Sequence, residues 1–268
     1  MYDPVEDIAY REYPDATAAM TAVLADAGPA KVYAVGEYHA TRNVRVSKTP
    51  LVQFTEVLDL MIPRSRHLVI ETWIDDGCLP SRQVKSEVQH QTGRPPSTGT
   101  DIEALVMKSA KKKLVTHGLA MTCIEHGSLL DEMGRVDFLR LLELVTEKLG
   151  ATTKDLVADH PRSEHDRAVI VYGGALHNDL YPRWQLETLS YAAQLDKDLH
   201  GGVVEIDLVV PEIIAPMSMV RSEPWFPLIG RAAPNRVMVW KRGPASFVVI
   251  LPAQSEEVAK IARPVHRG

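Results

Sequence analysis

Long apolar runs are missing from this chain. No stretch approaches the ~20 residues a membrane-spanning helix needs, so no membrane partner is expected. Cysteine is scarce. Cys78 and Cys123 are the only two, too few for a disulfide framework. Cys123 falls in an apolar run, so unpaired thiols in a reducing, cytoplasmic setting are expected. A strong charge excess is also lacking. The formal charge is −5, which argues against nucleic acid as the main partner. The run Lys111-Lys112-Lys113 sits in a helical pattern and reads as a solvated face. No P-loop and no dinucleotide fingerprint occurs. Ser128 lacks a Gly-x-Ser-x-Gly setting and reads as a helix cap, which rejects a serine-hydrolase elbow. Residues 1–7 carry neither a basic nor an apolar leader region, so no secretory signal is expected.

What is present is ordinary globular material, with 45% hydrophobic residues in 268. No linker-like composition interrupts it, so residues 1–268 are read as one α/β domain. Strand and helix patterns alternate, the signature of a mostly parallel sheet flanked by helices. Helices are expected at 15–27, 50–62, from a Thr100-Asp101-Ile102-Glu103 capping box to about 117, at 135–149 closed by Gly150, and at 182–199. Strands are expected at Lys31–Gly36, His67–Thr72, Leu119–Ile124 and Arg167–Tyr172. Residues 74–100 read as a long loop holding at most a short helix near 81–91. Val203–Val210 alternates polar and apolar residues, which predicts a strand with one wet face. Val237–Trp240 and Phe247–Leu251 predict a C-terminal β-hairpin around Gly243-Pro244. The segment 211–235 is rich in proline and holds Trp225 and Phe226. It reads as a lid whose Trp225 gives the substrate an apolar wall.

Successive strands run into the same residue types. The first ends at Gly36-Glu37-Tyr38-His39, the second at Glu71, the third at Glu125-His126 and the fourth at Gly173-Gly174-Ala175-Leu176-His177. In a parallel sheet all carboxyl ends lie on one edge, where ligands bind. Glu37 and His39 are two apart, so extended backbone turns them to one side. Glu71 joins them if its strand neighbours the first, as consecutive strands usually do. Two carboxylates and two imidazoles form a general acid–base system. The same Glu37, His39, Glu71 and His177 also suit a divalent metal such as zinc, manganese or iron. The residues alone do not decide between these uses. Like charges at the centre predict strain, so replacing Glu71 with Gln is expected to leave stability unchanged or raise it. Glu125 and His126 are expected in a supporting shell.

Other polar residues have plainer readings. Arg42 and Arg45 follow His39 and are placed either to clamp an anionic substrate group or to face solvent. His67 opens its strand, at the opposite edge. His117 is expected at a helix C-terminus. His160 and His165 fall in a polar connector, and Asp75 and Asp76 are expected to cap a loop.

Gly36-Glu37-Tyr38-His39, Glu71 within Val69-Ile70-Glu71-Thr72, and Gly174-Ala175-Leu176-His177 together resemble the signature set of the erythromycin esterase, ChaN and Tiki group. The resemblance covers about the first two-thirds of the chain. It implies an α/β fold with the site at the strand ends, but no single activity. Members include macrolide esterases, metal-dependent peptidases and haem-binding proteins. The chain is shorter than the esterases, and neither the lipoprotein signal nor the membrane anchor of the other two is expected of it. The leading expectation is a hydrolase for an ester or amide of a small molecule or peptide, with His39 or His177 as base. The alternatives are a haem- or metal-binding protein and an iron- or copper-dependent tailoring enzyme.

Overall fold

Asp15 ends a short strand by capping a helix, its carboxylate accepting the Ala18 N–H at 2.7 Å, and strand and helix alternate from there to the C-terminal hairpin. The computed structural model describes residues 8–74, 77–159 and 167–255. The elements are β1 (Tyr10–Tyr13), α1 (Ala16–Ala27), β2 (Val32–Glu37), α2 (Pro50–Val57), β3 (Ser65–Ile74), α3 (Leu79–Thr92) and α4 (Thr98–Lys111). They continue as β4 (Val115–Ala120), α5 (Cys123–Ser128), α6 (Phe138–Ala158), β5 (Ala168–Gly174), α7 (Ala175–Asn178) and α8 (Tyr191–Asp198). The C-terminal part is β6 (Val203–Val209), α9 (Pro211–Ile214), β7 (Val237–Gly243) and β8 (Ser246–Ile250).

The sheet has eight strands in the order β1-β7-β8-β6-β2-β5-β3-β4. The run from β8 to β4 is parallel. The β7–β8 hairpin and β1 add an antiparallel margin. Helices α1, α2 and α4 bury Met20, Leu24, Phe54 and Leu105 on one face. Helices α3, α6 and α8 bury Val84, Leu144, Leu149 and Leu195 on the other. Each such side chain contributes about 1.5–3 kcal/mol by leaving water. With both faces covered, β2, β5 and β6 are buried nearly throughout, as parallel strands require.

Several elements differ from the pattern reading. β6 has no wet face: Glu205 and Asp207 are 1% and 6% exposed, because the α7–α8 segment and the residues after β6 cover that side. α3 occupies much of the expected loop and closes at Gly93, whose φ of 60° only glycine adopts easily. α4 starts at Thr98, and the expected Thr100–Glu103 box does not form. Asp101 instead accepts a hydrogen bond from the Thr49 hydroxyl at 3.0 Å. α2 stops at Val57 and tightens into 3₁₀ turns. α6 runs through Gly150 to Ala158; that glycine admits α8, since a Cβ there would stand 3.2 Å from the Tyr191 Cβ. Of 182–199 only Tyr191–Asp198 is α-helical. The third expected strand is shifted upstream, to β4, so His117 is a strand residue bonded to His67 at 2.9 Å. β5 lies between β2 and β3, so the strands carrying Glu37 and Glu71 are not neighbours.

Cys78 and Cys123 are joined as a disulfide, against the expectation of unpaired thiols. Cys78 precedes α3 and Cys123 opens α5, and the packing of those helices brings the Cα atoms to 6.2 Å, within the range a disulfide spans. The expectation of a reducing compartment loses that support. No helix among the described residues is long and apolar enough to cross a membrane. Asp75, Asp76, His160 and His165 lie outside the described residues.

Candidate active site

Glu37 is the last residue of β2 and continues the face that carries Val35 and the α2 contacts. Its carboxylate accepts the Tyr172 hydroxyl at 2.5 Å. The Tyr172 ring is held in turn by stacking on Phe54, centroids 4.6 Å apart. The other Glu37 oxygen meets His39 Nδ1 at 2.6 Å. Glu71 approaches from the opposite face. It sits within β3 rather than at its end, where pairing with β4 is interrupted between Val69 and Trp73. Its carboxylate crosses β5 and accepts the Gly174 N–H at 2.5 Å. That crossing is possible because β5 ends in two glycines. A Cβ at Gly173 would stand 2.8 Å from Glu71 Oε2.

Gly174 is the hub of the cluster. A Cβ there would lie 3.3 Å from Glu71 Oε2, 3.3 Å from His39 Nε2 and 3.5 Å from His177 Cδ2. The structure thus brings Glu37, His39, Glu71 and His177 together at the carboxyl edge. His177 is 3% exposed. Its Nδ1 lies 3.1 Å from the Leu189 carbonyl and 2.8 Å from the Thr146 hydroxyl oxygen. A carbonyl only accepts, so Nδ1 carries the hydrogen and Nε2 the lone pair.

Arg94 completes the group, and the pattern reading missed it. Its Nη2 lies 2.7 Å from His39 Nε2 and 3.5 Å from Glu71 Oε1. It follows the Gly93 cap of α3, in a stretch where no strand or helix periodicity marks a functional position. Arg42 does not reach the site. It holds the end of α3, donating to the Gln89 carbonyl at 3.2 Å, and its backbone N–H donates to the Gly93 carbonyl at 2.8 Å. Arg45 is exposed and away from the cavity. Of the two placements open to Arg42 and Arg45, both take the solvent-facing one, and Arg94 is the guanidinium at the site.

A guanidinium only donates, so the Arg94 contact requires a lone pair on His39 Nε2. Nδ1–H then donates to Glu37, a carboxylate–imidazole pair with its basic nitrogen outward. Burial and Arg94 lower the His39 pKa; the hydrogen bonds to Glu37 and Glu71 and the Glu37 charge raise it, and the net effect is upward. A proton and Arg94 thus compete for one nitrogen. For Glu37 and Glu71 burial acts upward, but hydrogen bonding and charge from His39 prevail, and both are held below the usual carboxylate range. Burial lowers His177 despite the Glu71 charge.

These groups line a cavity of about 500 Å³. Its apolar wall includes Leu141, Val145, Met217, Val220 and Trp225. Trp225, 3% exposed, packs on Tyr38 with centroids 6.0 Å apart. Neither Glu125 nor His126 hydrogen-bonds to the four site residues, although His126 packs on Trp73, which lines the cavity. Glu125 forms a capping box with Thr122 and pairs with Lys148 at 2.6 Å, which together hold its pKa at about 2. His126 is buried, 6.4 Å from the Trp73 ring. Both departed because the chain after β4 turns into α5 instead of extending the strand.

A zinc, manganese or non-haem iron ion, which the residue types admit, fits this arrangement poorly. Among the described residues no group of three or more His, Cys, Asp or Glu is placed to hold a metal ion. The Arg94 guanidinium faces His39 Nε2 and Glu71, where a second cation would be repelled.

No family model matches the chain, and no curated protein does. A solved structure described as "The structure of the type III effector HopBA1" is 14% identical over 93% of this chain and 98% of that chain, with a TM-score of 0.45, a likeness too slight to bear on fold or activity.

Proposed function

We propose that the protein is a hydrolase for an ester or amide bond of a small molecule or peptide, with His39 as general base. The observation that carries this reading is the 2.6 Å contact of His39 Nδ1 with Glu37 beside a largely apolar cavity. Glu37 fixes the tautomer and stabilises the imidazolium that forms. Nε2 takes a proton from water as the water oxygen bonds to the carbonyl carbon. Arg94 gives up Nε2 and turns its N–H groups to the oxyanion, whose developing charge the guanidinium then offsets. This keeps the hydrolase expectation raised by the resemblance to the erythromycin esterase, ChaN and Tiki group, and drops the resident metal.

Residues 211–235 serve as the lid, with Met217, Val220 and Trp225 facing the substrate. A panel of p-nitrophenyl esters and peptide anilides tests the reading. Turnover by the purified protein, lost about 100-fold or more in His39→Gln with an unchanged melting temperature, supports it. Absence of turnover across the panel, or turnover equal in His39→Gln, removes it.

A further inference from the structure

One row across four parallel strands reads carboxyl, glycine, glycine, carboxyl. Asp207 of β6 is in register with Gly36 of β2, and Gly36 with Gly173 of β5. Glu71 of β3 lies against Gly173. Each acid leans over the glycine beside it. A Cβ at Gly36 would collide with Asp207 Oδ1, as one at Gly173 would with Glu71 Oε2. The two glycines stand on neighbouring strands about 4.8 Å apart. The carboxyl groups therefore approach one glycine floor from opposite sides, and both line the same cavity.

Asp207 lacks what an ionised carboxylate needs. It is 6% exposed, and its Oδ1 is buried with no hydrogen-bond partner among the described residues. The charged groups that face it are Glu205 on its own strand, Asp179 after α7, Arg242 on β7 and Glu223 in the lid, with the Tyr38 hydroxyl nearby. The cations are engaged elsewhere. Arg242 pairs with Asp179 at 2.6 Å, and Arg183 with Glu223 at 2.6 Å. Burial first, then the Glu205 and Asp179 charges, push Asp207 well above the usual carboxylate range. Glu71 is driven the other way. Two carboxyls in one cavity driven apart in this manner are an acid and a base-side partner.

We propose that Asp207 donates the proton to the leaving group, across the glycine floor from Glu71 and His39. This assignment rests on the hydrolase reading. The water oxygen bonds to the carbonyl carbon while His39 Nε2 takes one water proton. The bond from carbon to the leaving oxygen or nitrogen then breaks. Its electron pair takes the Asp207 proton, leaving a carboxylate beside Arg242. The imidazolium proton returns to Asp207 through solvent in the cavity, and both groups are restored.

Leaving-group dependence tests the assignment. p-Nitrophenolate departs without a proton, and ethoxide does not. In Asp207→Asn, kcat/KM for ethyl butyrate should fall about 100-fold, with a far smaller loss for p-nitrophenyl butyrate. The basic limb of the wild-type ethyl butyrate profile should vanish in the variant. Equal slowing of both esters in a variant with a native melting curve overturns the donor role and leaves the hydrolase reading standing. Absence of turnover of both butyrate esters and of the whole ester and anilide panel by the unaltered protein overturns both. If Asp207→Asn fails to fold, the wild-type profiles decide. A basic limb for ethyl butyrate alone supports the donor, and parallel limbs for the two esters overturn it.

Discussion

Glu71 lies across Gly173, its carboxylate passing over a strand that separates it from Glu37. A methyl group at residue 173 would stand 2.8 Å from Glu71 Oε2 and 3.1 Å from Glu71 Cβ. Gly173→Ala should therefore displace Glu71, cost about 1–3 kcal/mol of stability and reduce ester hydrolysis. Chemical denaturation and kinetics measure the two effects. A variant with wild-type turnover would show that Glu71 is not needed where it stands.

The like-charge strain expected of the cluster is offset by Arg94, whose guanidinium stands 3.5 Å from Glu71, and by the Gly174 N–H that the Glu71 carboxylate accepts. Glu71→Gln should lose about 2 kcal/mol at neutral pH, as for a hydrogen-bonded charge. The Glu71 pKa is depressed in the fold, so its contribution is present above the unfolded value of about 4.3 and is lost as pH falls through the folded value. The gap between variant and wild-type melting temperatures should close in acid. A gap that persists unchanged at pH 3 would contradict the ionic origin.

His39 is held above its ordinary range. Its stabilising contribution is complete below about pH 6.5 and is lost as pH rises through the folded pKa. Catalysis needs the opposite, unprotonated form, so activity should decline on the acid side of a pKa above 6.5. Arg94 pushes that pKa down, so Arg94→Gln should move the acid limb of kcat/KM to still higher pH while lowering kcat. An acid limb that stays in place would separate Arg94 from His39.

The Cys78–Cys123 disulfide ties the start of α3 to α5, and the far end of α3 delivers Arg94. Reduction should cost about 3 kcal/mol of stability and weaken hydrolysis by loosening α3. Thermal melts with and without dithiothreitol measure this, with Cys78→Ser as the control that no longer responds to reductant. Identical melts of the wild type in both buffers would count against the bond.

Much of this arrangement was legible in the residue order. The strands around Val32–Glu37 and Ala168–Gly174 announce themselves as short apolar runs ending in glycine, and both lead to site residues. Glu37 and His39 follow from strand periodicity alone. α3 was legible only as a short helix near 81–91 inside a loop, since Leu79–Thr92 has a weak apolar stripe and only Ser81 and Val84 buried, and the shift of β4 was hidden. Arg94 was hidden because a side chain reaching in from a loop leaves no periodic trace.

The sequence by itself determined the alternation of strand and helix, the hairpin, and the set of acid and imidazole side chains at one edge. Those follow from local periodicity and from the single direction shared by parallel strands. Only the tertiary structure decided that β5 inserts between β2 and β3, that Glu71 uses its glycines as a floor, and that Asp207 faces it from β6. Strand order is a long-range choice, set by which helix faces bury together. The protonation of each carboxyl follows from that choice, because neighbours contributed by distant segments set its burial and the charges around it.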